Sequence, residues 1–187
     1  MNMQAKIIDL LRKELVNIED FILLVETATG NALDLHLAAV KVLSEKGIYL
    51  ILLSVTRPYS NLLKLYQENK IDTTKIFILD TVSKGRDAKA KVGEKVICVA
   101  DPSSLTEISI EITKCFGKVN SDKVVFIESL PTLLIHNKPD TFEMFVHSLL
   151  TKMRINKVGG LLISFEDEKN RGVIDEIAQL CDKTIKI

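Results

Sequence analysis

The feature that most constrains the fold is an alternation of short, apolar, β-branched runs with longer amphipathic segments along the whole chain. Most of these runs are continuously apolar, which is typical of strands covered on both faces of a sheet. The predicted strands are residues 21–26, 48–55, 75–80, 95–100, 123–129, 160–165 and 183–187. Strands that alternate with helices predict an α/β fold of three layers, with a mainly parallel central sheet between two layers of helices.

The amphipathic segments predict the helices. Four of them cover residues 31–45, 58–68, 140–155 and 171–181. A further helix opens at Asp101, which we predict as its N-cap because a carboxylate can accept hydrogen bonds from the free amides of a first turn. Apolar residues at helical spacing from Met3 to Leu15 predict an N-terminal helix within residues 1–18, packed on the domain. We expect one domain over residues 1–187.

The helix predicted over residues 31–45 is apolar on most of its sides. Asp34, His36 and Lys41 interrupt this apolar character, and Gly47 follows its end. We therefore expect a buried helix that flanks the sheet and stops at a glycine.

Composition excludes several classes of protein. Of the 187 residues, 47% are hydrophobic and 27% are charged, so the chain can bury a large core and is not of the disordered or collagen type. The 25 basic residues balance the 25 acidic ones, whereas a dedicated nucleic-acid binder is usually more basic. The N-terminal segment has no signal-peptide pattern, and no stretch is apolar for long enough to span a membrane, so we expect no membrane association.

Cysteine usage bears on the compartment. Cys98, Cys115 and Cys181 are odd in number and contain no C-x-x-C pair. Cys98 and Cys181 fit core positions of a strand and a helix, respectively. This pattern predicts buried, reduced thiols and a cytoplasmic protein.

The segment after the first predicted strand, TATGN, occupies the place of a phosphate-binding P-loop. In the motif G-x-x-x-x-G-K-[ST], backbone amides surround the phosphates, the lysine neutralises them and the hydroxyl holds Mg²⁺. If Gly30 is the second glycine, Asn31 replaces the lysine and Ala32 the hydroxyl residue. The segment is then either an ordinary turn, in which Gly30 supplies a permissive dihedral angle or close helix packing, or a backbone anion site at a helix N-terminus.

Several segments together resemble the RecA/KaiC-like ATPase family over most of the chain. The second strand and helix of that family resemble YLILLSVTRPYSNLLKLYQENKID, and its next strand resembles KIFILDTVS. The Walker B strand and the helix beyond it resemble KVVFIESLPTLLIH and FEMFVHSLLTKMR, and the strand after those resembles GLLISFEDE. The resemblance implies a RecA-like fold of the P-loop NTPase class. It also implies a vestigial nucleotide site at Thr27, Thr29, Gly30, Asn31, Glu128 and Ser129.

The chain departs from the family where the chemistry is expected. The catalytic glutamates of the family fall near Val55, Thr56 and Arg57, none of which can act as a general base at neutral pH. Glu128 stands where the resemblance places an aspartate that orders the metal ion. With the lysine and hydroxyl residue also missing, the resemblance implies a degenerate Walker A motif. We expect no catalytic residue, no bound metal and no obligatory cofactor.

These departures lead to three functional hypotheses. The first is a non-hydrolysing RecA/KaiC-like domain that acts through protein contacts, with a partner or with itself, in a regulatory or scaffolding role. The alternative is a nucleotide-binding protein or weak ATPase of the same family, which would bind ATP or another nucleotide weakly. The third is a nucleic-acid-associated module that uses the basic loop of residues 84–95, although this loop has no interleaved aromatic residues and the chain has no net charge.

Two other side-chain patterns carry a weaker functional signal. Glu143 and His147 stand four residues apart on a predicted helix and could supply two metal ligands, but no third ligand is evident, so a surface pair is favoured. Ser129 lacks the flanking glycines of G-x-S-x-G and is not predicted to be a nucleophile.

Overall fold

The computed structural model describes residues 3–83, 95–166 and 170–187. Within these ranges seven strands form one parallel sheet in the order β4-β3-β2-β5-β6-β1-β7. The strands are β1 Ile22–Thr27, β2 Tyr49–Ser54, β3 Ile76–Asp80, β4 Val96–Cys98, β5 Lys123–Ile127, β6 Gly159–Phe165 and β7 Lys183–Lys186. Each corresponds to a predicted run, and the prediction of an α/β fold with a mainly parallel sheet is confirmed.

The described helices are α1 Met3–Glu14, α2 Ala32–Glu45, α3 Tyr59–Glu68, α4 Leu105–Phe116, α5 Leu130–Ile135, α6 Pro139–Ile155 and α7 Arg171–Leu180. Single 3₁₀ turns occur at Ile18–Asp20 and Thr29–Asn31. Gly47, which follows α2, has a φ of 71°, and glycine tolerates this left-handed value without strain. None of the helices in these ranges is long and apolar enough to cross a membrane.

The two faces of the sheet bury separate apolar clusters. On one face, helices α1, α2 and α3 contribute residues such as Ile7, Leu35 and Leu62 to a core with alternate strand residues. On the other face, α4 to α7 supply a second core that includes Ile112 and Leu149. Because each strand sends successive side chains to opposite faces and both faces are covered, the interior strands are nearly all apolar.

β1 and β5 are interior strands, as their unbroken apolar character predicts. β1 lies between β6 and β7, and β5 lies between β2 and β6. All six residues of β1 are buried, as are the last four of β5. The carboxyl ends of both strands therefore open onto the same edge of the sheet, where ligands of parallel α/β folds bind.

Two local predictions are wrong, and one helix is not predicted. Asp101 is not the N-cap of α4: its carboxylate accepts a hydrogen bond from the Ser103 amide at 2.8 Å, forming a local turn, and Ser104 takes the cap position. The short helix α5 is missing from the prediction. Cys98 and Cys181 are only half-buried, because one lies on an edge strand and the other follows the end of α7, whereas Cys115 is fully buried.

Residues 84–94 lie outside the described ranges. The predicted role of the basic loop, residues 84–95, therefore stays a prediction.

Candidate functional site

Glu128 follows β5, and its carboxylate turns inward toward the end of β2. The backbone amides of Val55 and Thr56 donate to its Oε1 atom at 2.8 Å, as does the Thr56 hydroxyl. The Ser54 hydroxyl lies 3.0 Å from the same oxygen and 2.7 Å from the carbonyl oxygen of Arg57. One carboxylate oxygen thus holds together the segment in which the resemblance would place catalytic glutamates.

The second oxygen of Glu128 faces the helical layer. Oε2 lies 3.2 Å from Nδ1 of His36, and the two side chains are 2% and 3% exposed. These atoms are at ion-pair distance without hydrogen-bond alignment, and neither has a hydrogen-bond partner among the described residues. His36 Nε2 lies 2.8 Å from the hydroxyl of Tyr66, which is fully buried. Glu128, His36 and Tyr66 form a buried polar chain that connects β5 to α2 and then to α3.

The alternation of side chains along β5 explains why Glu128, His36 and Tyr66 are buried together. Val124 and Phe126 of β5 pack in the core beneath α2 and α3, so Glu128, two residues further along, projects to the same face. The His36 ring contacts the ring of Phe126, with 5.4 Å between centroids, and stacks on that of Tyr66 at 5.9 Å. The polar groups therefore sit within an aromatic environment from which water is excluded.

This environment shifts two pKa values. Burial alone would raise the pKa of Glu128, but the short contact with His36 and its charge, followed by the donors of Thr56, outweigh burial and lower the pKa to about 2. Burial and the nearby charge of Glu128 raise the pKa of Tyr66 well above its ordinary value. Tyr66 therefore stays protonated, and its hydroxyl can either donate to or accept from His36 Nε2, since the role of that nitrogen depends on the tautomer of the ring.

The predicted phosphate loop is a short turn. Only residues 28–31 separate β1 from α2, and Thr29, Gly30 and Asn31 form a single 3₁₀ turn. The Asn31 side chain donates to Thr27 Oγ1 at 3.4 Å, and that hydroxyl donates to the Ile187 carbonyl oxygen at 3.1 Å. The turn is closed by contacts within the chain.

Gly30 has neither of the roles predicted for it in an ordinary turn. Its φ is not in the left-handed region, and no atom lies within 4 Å of the position that a Cβ would take. It needs neither a permissive dihedral angle nor close packing. This residue is exposed and has open space around it.

The six predicted site residues lie at the carboxyl edge of the sheet in two groups. Thr27, Thr29, Gly30 and Asn31 lie around the β1–α2 turn, whereas Glu128 and Ser129 follow β5, and β6 lies between the two strands. The link between the groups is α2, which begins at the turn and carries His36 to Glu128.

Ser129 does not take part in the contacts of Glu128. Its hydroxyl accepts a hydrogen bond from the Thr132 amide at 3.2 Å and caps α5, whose first turn contains Pro131.

Two buried carboxylates at this edge are not predicted from the sequence as site residues. Glu26 of β1 is 4% exposed, and Arg171 of α7 donates to it at 2.5 Å, while the Lys186 ammonium lies 4.0 Å away. Asp80, at the end of β3, is fully buried and accepts a hydrogen bond from the Tyr59 amide at 2.7 Å, which joins it to the start of α3. Each follows an apolar run, and a carboxylate near the end of a predicted strand is the only feature of the sequence that could have identified them.

The structure provides no metal centre in the ranges described: no group of three or more His, Cys, Asp or Glu side chains is placed to hold an ion. Glu143 and His147 lie on the outer side of α6, where they line a groove beside Glu176 of α7.

Solved structures show the same fold. A KaiC-like protein, PH0186, from the hyperthermophilic archaeon Pyrococcus horikoshii OT3 aligns with a TM-score of 0.60 at 14% identity, over 89% of this chain and 70% of that one. An uncharacterised protein, PH0321, from Pyrococcus horikoshii, solved in complex with an unknown peptide, aligns with a TM-score of 0.68 at 12% identity, over 95% of this chain and 82% of that one. At such identities the likeness shows a RecA/KaiC-like fold and nothing finer.

No protein of curated function matches the sequence. Residues 22–187, which include all seven strands described, match the sequence model of a family of unknown function, DUF7504. The chain is a member of the DUF7504 family, with a RecA/KaiC-like fold.

Proposed function

We propose that this chain is a single, non-hydrolysing RecA-like domain that acts through contacts with other proteins, in a regulatory or scaffolding role. The observation that carries the proposal is the inward orientation of Glu128, the carboxylate that would otherwise order a metal ion. Its Oε1 atom accepts hydrogen bonds from Val55 and Thr56, and its Oε2 atom faces His36.

Turning Glu128 outward toward a metal would be costly. The amides of Val55 and Thr56 would lose their acceptor at a buried or half-buried position, at about 1–3 kcal/mol for each unsatisfied group. His36 would lose its only charged neighbour in the buried chain described above. These contacts favour the inward position over a metal-binding one.

The turn after β1 supports the same proposal. It has no lysine to neutralise phosphate and no hydroxyl at the position that would hold Mg²⁺, where Ala32 stands. Losing both contacts weakens triphosphate binding by about 3–6 kcal/mol, or roughly 10²–10⁴ in affinity. Glu26 adds a buried negative charge one residue before Thr27, and Arg171 compensates it internally. We therefore expect no metal ion and no required cofactor.

Protein contact is the favoured activity for two reasons. The chain has no net charge, which argues against the nucleic-acid module, and a protein with the same fold was solved in complex with an unknown peptide. We infer that this chain likewise binds a segment of a protein partner, or a second copy of itself, in the cytoplasm.

One observation favours the alternative of weak nucleotide binding. The turn at Thr29 and Gly30 is exposed at the start of α2, where the helix dipole can attract an anion without a lysine. ATP could then be held through backbone atoms alone.

Thermal unfolding with and without ATP and Mg²⁺ tests the proposal. A ligand at 100 times its Kd adds roughly 2.7 kcal/mol, which raises the Tm by several degrees. We expect no such shift. The matched variant is Gly30→Asp, which places a negative charge in open space at the turn and leaves the fold intact. ATP stabilisation that Gly30→Asp removes would establish the alternative.

A further inference from the structure

A groove runs between α6 and α7 on the outer side of the helical layer, across the sheet from the face that buries Glu128 and His36. Its volume is about 670 Å³, within the range of ligand-binding clefts. Glu143, Met144 and His147 line it from α6, and Glu176, Ile177 and Leu180 from α7. Ile177 is buried and Leu180 half-buried, so the groove has an apolar floor and acidic walls.

Among the described residues, no ion pair neutralises the acidic walls of the groove. Partial burial, then the charge of Glu176 and a hydrogen bond with its side chain, raise the pKa of Glu143, with a further contribution from Asp140. In the part of the chain described, no lysine or arginine lies at ion-pair distance from Glu143 or Glu176. Two neighbouring carboxylates therefore lie in this groove without a paired lysine or arginine among the described residues, which favours a cation there.

An apolar surface adjoins this acidic groove. Met144 is 74% exposed and forms the ridge between it and a second groove of about 320 Å³, which lies between α4 and α6. Ile110, 48% exposed, and Phe145 line that second groove. Methionine is flexible and polarisable, so it adapts to apolar side chains of different shape. A cation bound between the glutamates would thus be next to a site for a bulky apolar group.

We propose that the α6–α7 groove binds a peptide segment of a partner protein that carries a lysine or arginine beside a bulky apolar residue. The basic side chain lies between Glu143 and Glu176, and the apolar one packs on Met144. The inference rests on the proposed protein-contact function and names the chemistry of the partner. The negative sign of the groove excludes nucleic acid as its occupant.

The test begins with random peptides displayed on phage and selected on the full-length protein. We expect the enriched peptides to carry Lys or Arg beside Leu, Ile, Met or Phe. A fluorescein-labelled copy of an enriched peptide is then titrated by anisotropy. Glu143→Gln and Glu176→Gln should each weaken its binding about fivefold or more, because each removes one charge from the groove. Glu68→Gln, on α3 in the opposite helical layer, is the matched control and should bind normally.

The apolar contact has its own variant and control. Met144→Ala should weaken binding of the same peptide, while Ile155→Ala should not, since Ile155 is equally exposed, at 76%, but lies at the end of α6. A peptide with serine in place of its apolar residues should bind at least about fivefold more weakly. All of these side chains are exposed or half-exposed, so the variants fold.

Several results would overturn the inference: no enrichment, enrichment of acidic or neutral peptides, or binding that neither glutamate variant affects. Equal binding of the serine-substituted peptide would also overturn it, because charge alone would then suffice. A peptide that binds but ignores the groove variants refutes the groove and leaves the proposed function standing. The proposed function is refuted by different results, namely stabilisation by ATP or ATP hydrolysis, and the groove variants do not affect those measurements.

Discussion

The Nδ1 atom of His36 lies 3.2 Å from Oε2 of Glu128, and both atoms are buried between the sheet and the layer formed by α2 and α3. A buried charge is tolerated only when nearby groups compensate it, and here His36 and the amides at the end of β2 do so. Glu128 is therefore a structural anchor between β5, β2 and α2. Its contribution to folding can be measured apart from any activity.

The free energy of unfolding should decrease as the pH is lowered, because Glu128 becomes protonated. Its pKa is about 2 in the folded protein against an ordinary value of 4.5, so between these values the unfolded chain binds more protons. The ionised carboxylate therefore contributes fully above about pH 5, and about 3 kcal/mol is lost as the pH falls toward 2. Urea unfolding from pH 7 to pH 3 measures this slope.

The variant Glu128→Gln should show a smaller slope over the same pH range and a lower stability at pH 7, by about 2–4 kcal/mol. Glu68→Gln is the control, because Glu68 is exposed and its contact with Lys64 at 4.0 Å is weak. An unchanged slope in Glu128→Gln would show that this carboxylate is not ionised and paired in the fold.

The hydroxyl of Tyr66 should contribute measurably to the free energy of unfolding. Tyr66→Phe removes the partner of His36 Nε2 and leaves a buried nitrogen unsatisfied, which should lower the free energy of unfolding by about 1–3 kcal/mol. Combined with Glu128→Gln, the two effects should be non-additive by at least about 0.5 kcal/mol, because both residues contact His36. Tyr59→Phe, at the half-buried start of α3, should change stability by less than about 0.5 kcal/mol. Strict additivity would refute the coupling.

The strands could be predicted from the sequence because most of them are local apolar runs, and all seven described strands overlap a predicted one. The short helix α5 could not, since its six residues, Leu130–Ile135, are mostly apolar and too few to show a helical period. Its start depends on Ser129 capping the Thr132 amide, a contact that no periodicity reveals.

The candidate site was only partly predictable for a related reason. Glu128 and Thr56 are singled out by the resemblance, but their mutual contact joins positions far apart in the sequence. His36 reads as an interruption of an apolar helix, whereas in the fold it is the buried partner of Glu128. Long-range pairing of buried polar groups depends on the register of the sheet, and composition or spacing alone carries no record of it.

Two adjacent glycines of β6 should respond differently to alanine. A Cβ at Gly159 would lie 1.7 Å from the carbonyl oxygen of Ile18, a backbone atom that cannot move aside, so Gly159→Ala should cost more than about 3 kcal/mol or prevent folding. At Gly160 the nearest atom is the flexible end of Met153, at 2.6 Å, and the cost should be about 1–3 kcal/mol.

Expression yield and urea unfolding measure both changes, and Gly30→Ala is the control, since its Cβ would meet nothing within 4 Å. Equal effects at Gly159 and Gly160 would contradict the close approach of β6 to the 3₁₀ turn at Ile18–Asp20.

The last prediction concerns catalysis: purified protein should hydrolyse ATP no faster than background. Three contributions to transition-state stabilisation are missing together, namely a lysine for phosphate charge, a hydroxyl for the metal and a carboxylate base, since Thr56 and Arg57 occupy the place of the base. Loss of the base alone typically lowers the rate by about 10²–10⁴.

Phosphate release should be measured at micromolar protein, where contaminating ATPases become visible as a trace rate. That trace should be the same in Glu128→Gln and in Gly30→Asp, because a contaminant does not depend on residues of this chain. Gly30→Asp is the decisive variant, since its site is exposed and open and its fold is retained, whereas Glu128→Gln also lowers stability. Repeated turnover that Gly30→Asp abolishes would place an active nucleotide site at the β1–α2 turn and reject the non-hydrolysing assignment.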